Sequence, residues 1–245
     1  MNTQSLNVSR DIIKKDDGFL AYYFSAQAAY QIVRVAARTR LTPNMFTTAS
    51  LVLGVAAAFS AAHAQFIYAI ILLNISFIFD CCDGQLARAK GLSSSMGHWF
   101  DYHSDKIKDV LILLGFALGY VNGYEHRMWI LIPAFIAISF QFMRNITTLN
   151  RDVFALQHTG KKDEVHAVLP TYTSSQLLKT LKNSSLFKLS DRVLLYTIFG
   201  ALHKIEIGII LYACVDTAYA FASAYLNYRV FYKHDKKEDE KHSTL

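Results

Sequence analysis

The chain has 245 residues, 53% of them hydrophobic, only 3 prolines, and a net charge of +6 whose charged groups are confined to a few blocks. That is too apolar for an ordinary soluble domain, so one membrane domain is expected, with no nucleic-acid partner. The three cysteines exclude a disulfide framework: Cys81 and Cys82 flank an aspartate-bearing segment, Cys214 lies in a distant apolar run, and all three read as small packing residues.

The N-terminal arm, residues 1–40, begins polar and has no apolar core of signal-peptide length, which places the N-terminus in the cytosol. Over 19–39, Gln27, Gln31, Arg34 and Arg38 form one polar stripe, while Phe19, Tyr23, Tyr30 and Val33 fall elsewhere. That pattern predicts an amphipathic helix lying along the inner leaflet. Thr42 followed by Pro43 is a strong helix start. From there to residue 232 the sequence predicts a catalytic domain of six spans, at about 43–64, 66–88, 98–122, 127–146, 189–204 and 206–231.

The second and third spans carry the chemistry. The apolar part of the second, Phe66 to Phe79, is fourteen residues, below the roughly 20 needed to cross the hydrocarbon. The helix must therefore continue through Asp80, Asp83 and Arg88. At 1.5 Å per residue, Asp80 lies about 21 Å from the outer end of a roughly 30 Å core. Asp83, Gly84, Ala87 and Arg88 follow Asp80 by three, four, seven and eight positions, so all five share one face. On the third span Gly97, Asp101 and Asp105 recur every four residues. A short 90–96 connection folds this stripe back on the first, and four carboxylates converge.

Like charges so close in a low-dielectric place call for divalent cations. An all-carboxylate set selects Mg²⁺ or Mn²⁺ over zinc, and four aspartates on two helices suit a two-ion clamp on a phosphate. His98 and His103 lie off the stripe and are left out of the ligand set. The bland reading is a solvated acidic loop with Arg88 snorkelling to the interface.

The pattern DxxDGxxAR, eight residues, then GxxxDxxxD resembles the signature of the CDP-alcohol phosphotransferases at every position: Asp80, Asp83, Gly84, Ala87, Arg88, Gly97, Asp101 and Asp105. A weaker similarity through DGF at 17–19 and LTPNMFT at 41–47 looks like the inositol-phosphate-using branch of that family. The resemblance implies an integral membrane transferase that moves a substituted phosphate from a CDP-linked donor, CDP-diacylglycerol or another CDP-alcohol, to an alcohol acceptor, with release of CMP. It implies metals on Asp80, Asp83 and Asp101, with Asp105 completing the set and serving as general base. It also implies a donor site along Gly84, Ala87, Arg88, Gly97 and Asn44, in which Arg88 forks onto a phosphate and Gly97 keeps the two helices close. A phosphorylated polyol as acceptor would need cations, and Arg144, Lys188 and Arg192 are the basic residues best placed at the mouth, each with the alternative role of a positive-inside anchor.

The remaining segments are less informative. The 147–190 connection carries scattered lysines that suit anionic lipid head groups, and 233–245 reads as a charged, disordered tail. Asp216, alone in the last span, reads as a satisfied packing carboxylate. Of the 25 Lys and Arg, only Arg127 and Lys204 fall on the face of the 64–66, 122–127 and 203–206 connections. The other face, with both termini and the site, is therefore expected to be cytoplasmic. The competing function is a cation or proton transporter, which would need ionisable groups continuing to the outer face; a homodimer is a candidate assembly for either.

Overall fold

The computed structural model describes residues 9–12, 24–124, 127–159 and 189–242, and among these every regular element is a helix. After a 3₁₀ turn at Arg10–Ile12 come α1 (Ala26–Ala36), α2 (Pro43–Ala62), α3 (Phe66–Lys90), α4 (Ser95–Gly123), a 3₁₀ turn at Met128–Ile130 leading into α5 (Leu131–Thr159), α6 (Leu189–Ala201) and α7 (Ile205–His242). All six helices expected from the sequence between residues 43 and 231 are thus present.

Local chemistry sets the boundaries that matter. Thr42 is extended and Pro43 opens α2, although the Thr42 side chain makes no capping bond. Helix α3 stops at Gly91, whose φ of 64° is the left-handed conformation that ends helices, and the Leu92 N–H donates back to the Ala87 carbonyl at 2.9 Å. Ser94 then caps α4, its hydroxyl accepting from the Gly97 N–H at 3.0 Å. Lys90 Nζ donates to the carbonyls of Thr39 and Leu41, both at 2.8 Å, tying the end of α3 to the connection between α1 and α2.

Two compact units emerge. The first comprises Met1–Ala134 and Phe187–Tyr212. Here α2 packs on both α3 and α4, and α3 also carries α1 and α6. The close approach of α4 to α2 is made by small residues, because a Cβ on Gly115 would lie 2.4 Å from the Ala58 carbonyl oxygen. Polar side chains fasten the same helices. Ser50 Oγ donates to the Ser76 carbonyl at 2.9 Å and Ser76 Oγ returns a bond to the Ser50 carbonyl at 2.8 Å. Asn74 Nδ2 reaches Thr197 Oγ1 on α6 at 2.9 Å. Outward, Val52, Phe59, Ile67, Ile71 and Leu118 are exposed, as lipid-facing positions should be.

The amphipathic α1 keeps Gln31, Arg34 and Arg38 exposed, but its apolar face is occupied by protein. Ala29, Val33, Ala36 and Ala37 form a core with Phe46, Cys82 and Leu86, and Gln85 Nε2 donates to the Ala26 carbonyl at 2.9 Å. Phe19, Tyr23 and the DGF segment lie outside the described residues.

The second unit comprises Phe135–Leu186 and Ala213–Leu245. The facing parts of α5 and α7 are joined by Phe140 on Phe221, Phe154 on Phe231 and a bond from Asn227 Nδ2 to the Thr147 carbonyl at 2.7 Å.

Two expectations are corrected. Helix α5 runs on to Thr159, so the first part of the expected 147–190 connection is helical, and residues 160–188 lie outside the described set. Helix α7 continues through the charged stretch to His242, where the sequence reads as a disordered tail; Lys and Glu are good helix formers, and a helix already nucleated upstream propagates through them readily. By length and hydropathy alone, four helices among the described residues qualify to cross a membrane, Pro43–Ala62, Phe66–Lys90, Met128–Arg151 and Ile205–Lys236. The first half of α4 is too charged to qualify and α6 has only 13 residues.

Candidate active site

The motif aspartates sit on α3 (Asp80, Asp83) and α4 (Asp101, Asp105), the two helices joined by the 91–94 connection. Oxygens of Asp80, Asp101 and Asp105 all fall within 4.8 Å of one another, a spacing suited to a shared metal ion. Asp105 Oδ1 is buried and has the Lys108 ammonium 3.0 Å away. Asp83 belongs to the same helix face but is held differently. It is buried, and its Oδ2 accepts a 2.7 Å bond from Thr47 Oγ1 on α2.

A cleft of about 220 Å³ opens beside the carboxylates. Gly84, Ala87 and Arg88 line one wall from α3, Gly97, His98 and Asp101 line another from α4, and Pro43, Asn44 and Thr47 close it from the start of α2. Every residue expected at the donor site therefore lines one cleft, and Asp101 joins it to the carboxylate cluster. The acidic-loop reading fails, since these aspartates lie within long helices and Asp83 is 6% exposed.

Details differ from expectation. Gly84 is not bare: a Cβ there would meet Arg88 Nη1 at 3.3 Å, so the guanidinium lies across the glycine. Arg88 Nε donates to the Ile12 carbonyl at 2.7 Å, which anchors the side chain to the N-terminal arm. Gly97 does not serve the α3–α4 approach; a Cβ there would meet Ser94 Oγ at 3.0 Å and Asn44 Oδ1 at 3.5 Å, so it makes room at the cap of α4 and toward α2. His103 bonds the Trp99 carbonyl one turn back, and His98 lines the cleft without joining the carboxylate cluster.

Sequence reasoning missed three polar residues. Lys108 is 2% exposed and places Nζ 2.5 Å from Asp80 Oδ1 and 3.0 Å from Asp105 Oδ1, while also donating to Ser50 Oγ at 2.8 Å. The signal was available, because Lys108 lies one turn beyond Asp105 on the same stripe. Thr47 was part of LTPNMFT, one turn after Pro43. Ser50 follows it, and nothing in the sequence marked it.

The basic residues expected to meet an acceptor are engaged elsewhere. Arg192 on α6 pairs with buried Asp109 on α4 and lies over the Tyr212 ring. Arg144 pairs with fully buried Asp216 at 2.6 Å. Each of these arginines has an internal carboxylate to answer. Lys188 lies outside the described residues.

With this geometry in place, comparison with known proteins is decisive. Residues 40–219 match the CDP-alcohol phosphatidyltransferase family. The chain belongs to that family. Its helices superpose on the phosphatidylinositol phosphate synthase PgsA1 of Mycobacterium tuberculosis, solved with CDP-DAG bound, with a TM-score of 0.60 and 14% identity over 84% of this chain and 94% of that one. Among its relatives, the bifunctional IPC transferase and DIPP synthase of Aquifex aeolicus is 26% identical over 174 residues, 67% of this chain and 40% of that protein. The archaetidylinositol phosphate synthase of Pyrococcus horikoshii is 30% identical over 110 residues, 45% of this chain and 58% of that protein. The matched regions thus span less than two thirds of the length of these relatives.

Proposed function

We propose that this phosphatidyltransferase moves a substituted phosphate from a CDP-linked donor to an alcohol and releases CMP, and that it requires a divalent metal at the aspartates. The observation that carries the reading is the meeting of three carboxylates, within 4.8 Å, with a cleft lined by Gly84, Ala87, Arg88, Asn44 and Gly97. Two Mg²⁺ or Mn²⁺ ions on Asp80, Asp83, Asp101 and Asp105 would neutralise charge on the donor's diphosphate. A PgsA1 structure in complex with manganese and citrate supports that choice of metal. Arg88, anchored by the Ile12 carbonyl at the edge of the cleft, would meet a phosphate of the donor. Thr47 holds Asp83 in one orientation. Asp105 takes the proton of the acceptor hydroxyl as that oxygen attacks phosphorus and the bond to CMP breaks.

The donor we favour is CDP-diacylglycerol, and the acceptor a phosphorylated polyol. The CDP-DAG bound to PgsA1 supports the first, and the inositol-phosphate activities named for relatives support the second. The six-span arrangement, with the site and both termini at the cytoplasmic face, rests on the distribution of Lys and Arg. In it, the charged half of α4 crosses because Asp101 lines the cleft, Asp105 pairs with Lys108 and Asp109 pairs with Arg192. The test is CMP release from purified protein given CDP-diacylglycerol and a panel of alcohols. Activity should appear with one phosphorylated polyol, vanish in chelator and return with Mg²⁺ or Mn²⁺. Full turnover in chelator would refute the metal requirement.

A further inference from the structure

A buried lysine in a membrane protein needs a reason, because an ammonium removed from water is tolerated only beside partners that replace its hydration. Lys108 is built into such a place. Its three donors face three oxygens: Ser50 Oγ at 2.8 Å, Asp80 Oδ1 at 2.5 Å and Asp105 Oδ1 at 3.0 Å. The stem is accommodated as deliberately as the head. A Cβ on Gly54 would lie 2.8 Å from Lys108 Cγ and 2.9 Å from Cδ, so α2 carries a glycine where the lysine passes. Asp80 and Asp105 are also two of the three residues whose oxygens converge for a metal. The same carboxylates thus answer to an ammonium and, on the reading above, to divalent ions.

We propose that Lys108 is a resident counter-ion of the aspartate cluster: it holds Asp80 and Asp105 in the metal-free protein, and divalent ions bind against its charge, so that metal affinity is set lower than the carboxylates alone would give. The reason is electrostatic. A positive charge sharing two ligands with a dication repels it at short range in a medium of low dielectric, whereas in the empty site it offsets the mutual repulsion of the carboxylates. A lysine present only to fill space would do neither.

The inference rests on metals binding these aspartates, and the experiment separates the two. With full-length protein in detergent, Mn²⁺ affinity is measured by titration and thermal unfolding is followed in chelator. Asp101→Asn serves as a control that must weaken Mn²⁺ binding; if it does not, the metal reading itself fails. Given that control, Lys108→Met should melt below wild type in chelator and bind Mn²⁺ about tenfold or more tightly, with Mn²⁺ restoring its melting temperature. A lysine with a merely structural role would lower stability without tightening the metal. Unchanged or weaker Mn²⁺ binding in Lys108→Met overturns the proposal. Should that variant fail to fold with or without Mn²⁺, Gly54→Ala decides. It keeps every charge and pushes only a flexible stem, so Mn²⁺ should bind more tightly there too, and unchanged or weaker binding overturns the proposal.

Discussion

Replacing Arg192 by glutamine separates a structural arginine from one that binds substrate. In the protein the guanidinium is 5% exposed, paired with Asp109, itself 7% exposed, and stacked over the Tyr212 ring at 5.2 Å. Glutamine removes the cation and leaves the Asp109 carboxylate buried among Leu73, Ile112, Val193 and Tyr196, beside a cavity of about 10 Å³ that offers little room for water. Breaking a buried pair in this way costs about 3–5 kcal/mol, far more than the 0–1 kcal/mol of an exposed pair. For a chain of this size each kcal/mol moves the melting temperature by about 2–4 °C, so the variant should melt roughly 6–20 °C below wild type. Adding Asp109→Asn removes the stranded charge, and the double variant should be less destabilised than the sum of the two singles. Thermal unfolding of all four proteins in detergent gives the cycle, and acceptor kinetics are read at a temperature where each is folded. Acceptor KM should stay near wild type. An Arg192→Gln protein that melts like wild type but shows a raised acceptor KM would refute the structural assignment and return Arg192 to the substrate.

The aspartates should divide by role. Asp105→Asn should keep donor binding while kcat falls by about 10²–10⁴, the usual worth of a positioned general base, whereas Asp80→Asn should weaken metal and donor together; wild-type turnover in Asp105→Asn would remove it from the chemistry. Gly84→Leu should abolish CDP-donor binding in a protein that still inserts and folds, because even its Cβ would displace the Arg88 guanidinium and the rest of the side chain enters the cleft. Losing one charged hydrogen bond is worth about 1.5–3 kcal/mol, so donor Kd should rise at least tenfold, and an unchanged Kd would move the nucleotide elsewhere.

What the sequence determined by itself was whatever spacing along one helix can express. Asp80, Asp83, Gly84, Ala87 and Arg88 share a face because 3.6 residues make a turn, and the short 90–96 connection separates that helix from the next. Hence the six helices from residue 43 onward, their order and the family were legible before any coordinates, and the residues expected at the donor site line one cleft. Contacts between helices were not. Whether an arginine is free for a substrate depends on which carboxylate the fold sets beside it, and Asp109 lies 83 positions from Arg192, Asp216 72 from Arg144. Lys108 shows the same limit from the other side. Its position on the Asp105 stripe was readable, but its burial depends on Gly54 and Ser50, more than fifty residues earlier, which leave it room and an acceptor. Tertiary structure alone therefore decided which cations serve the fold, which carboxylates they hold, and that the amphipathic face of α1 is closed by α3.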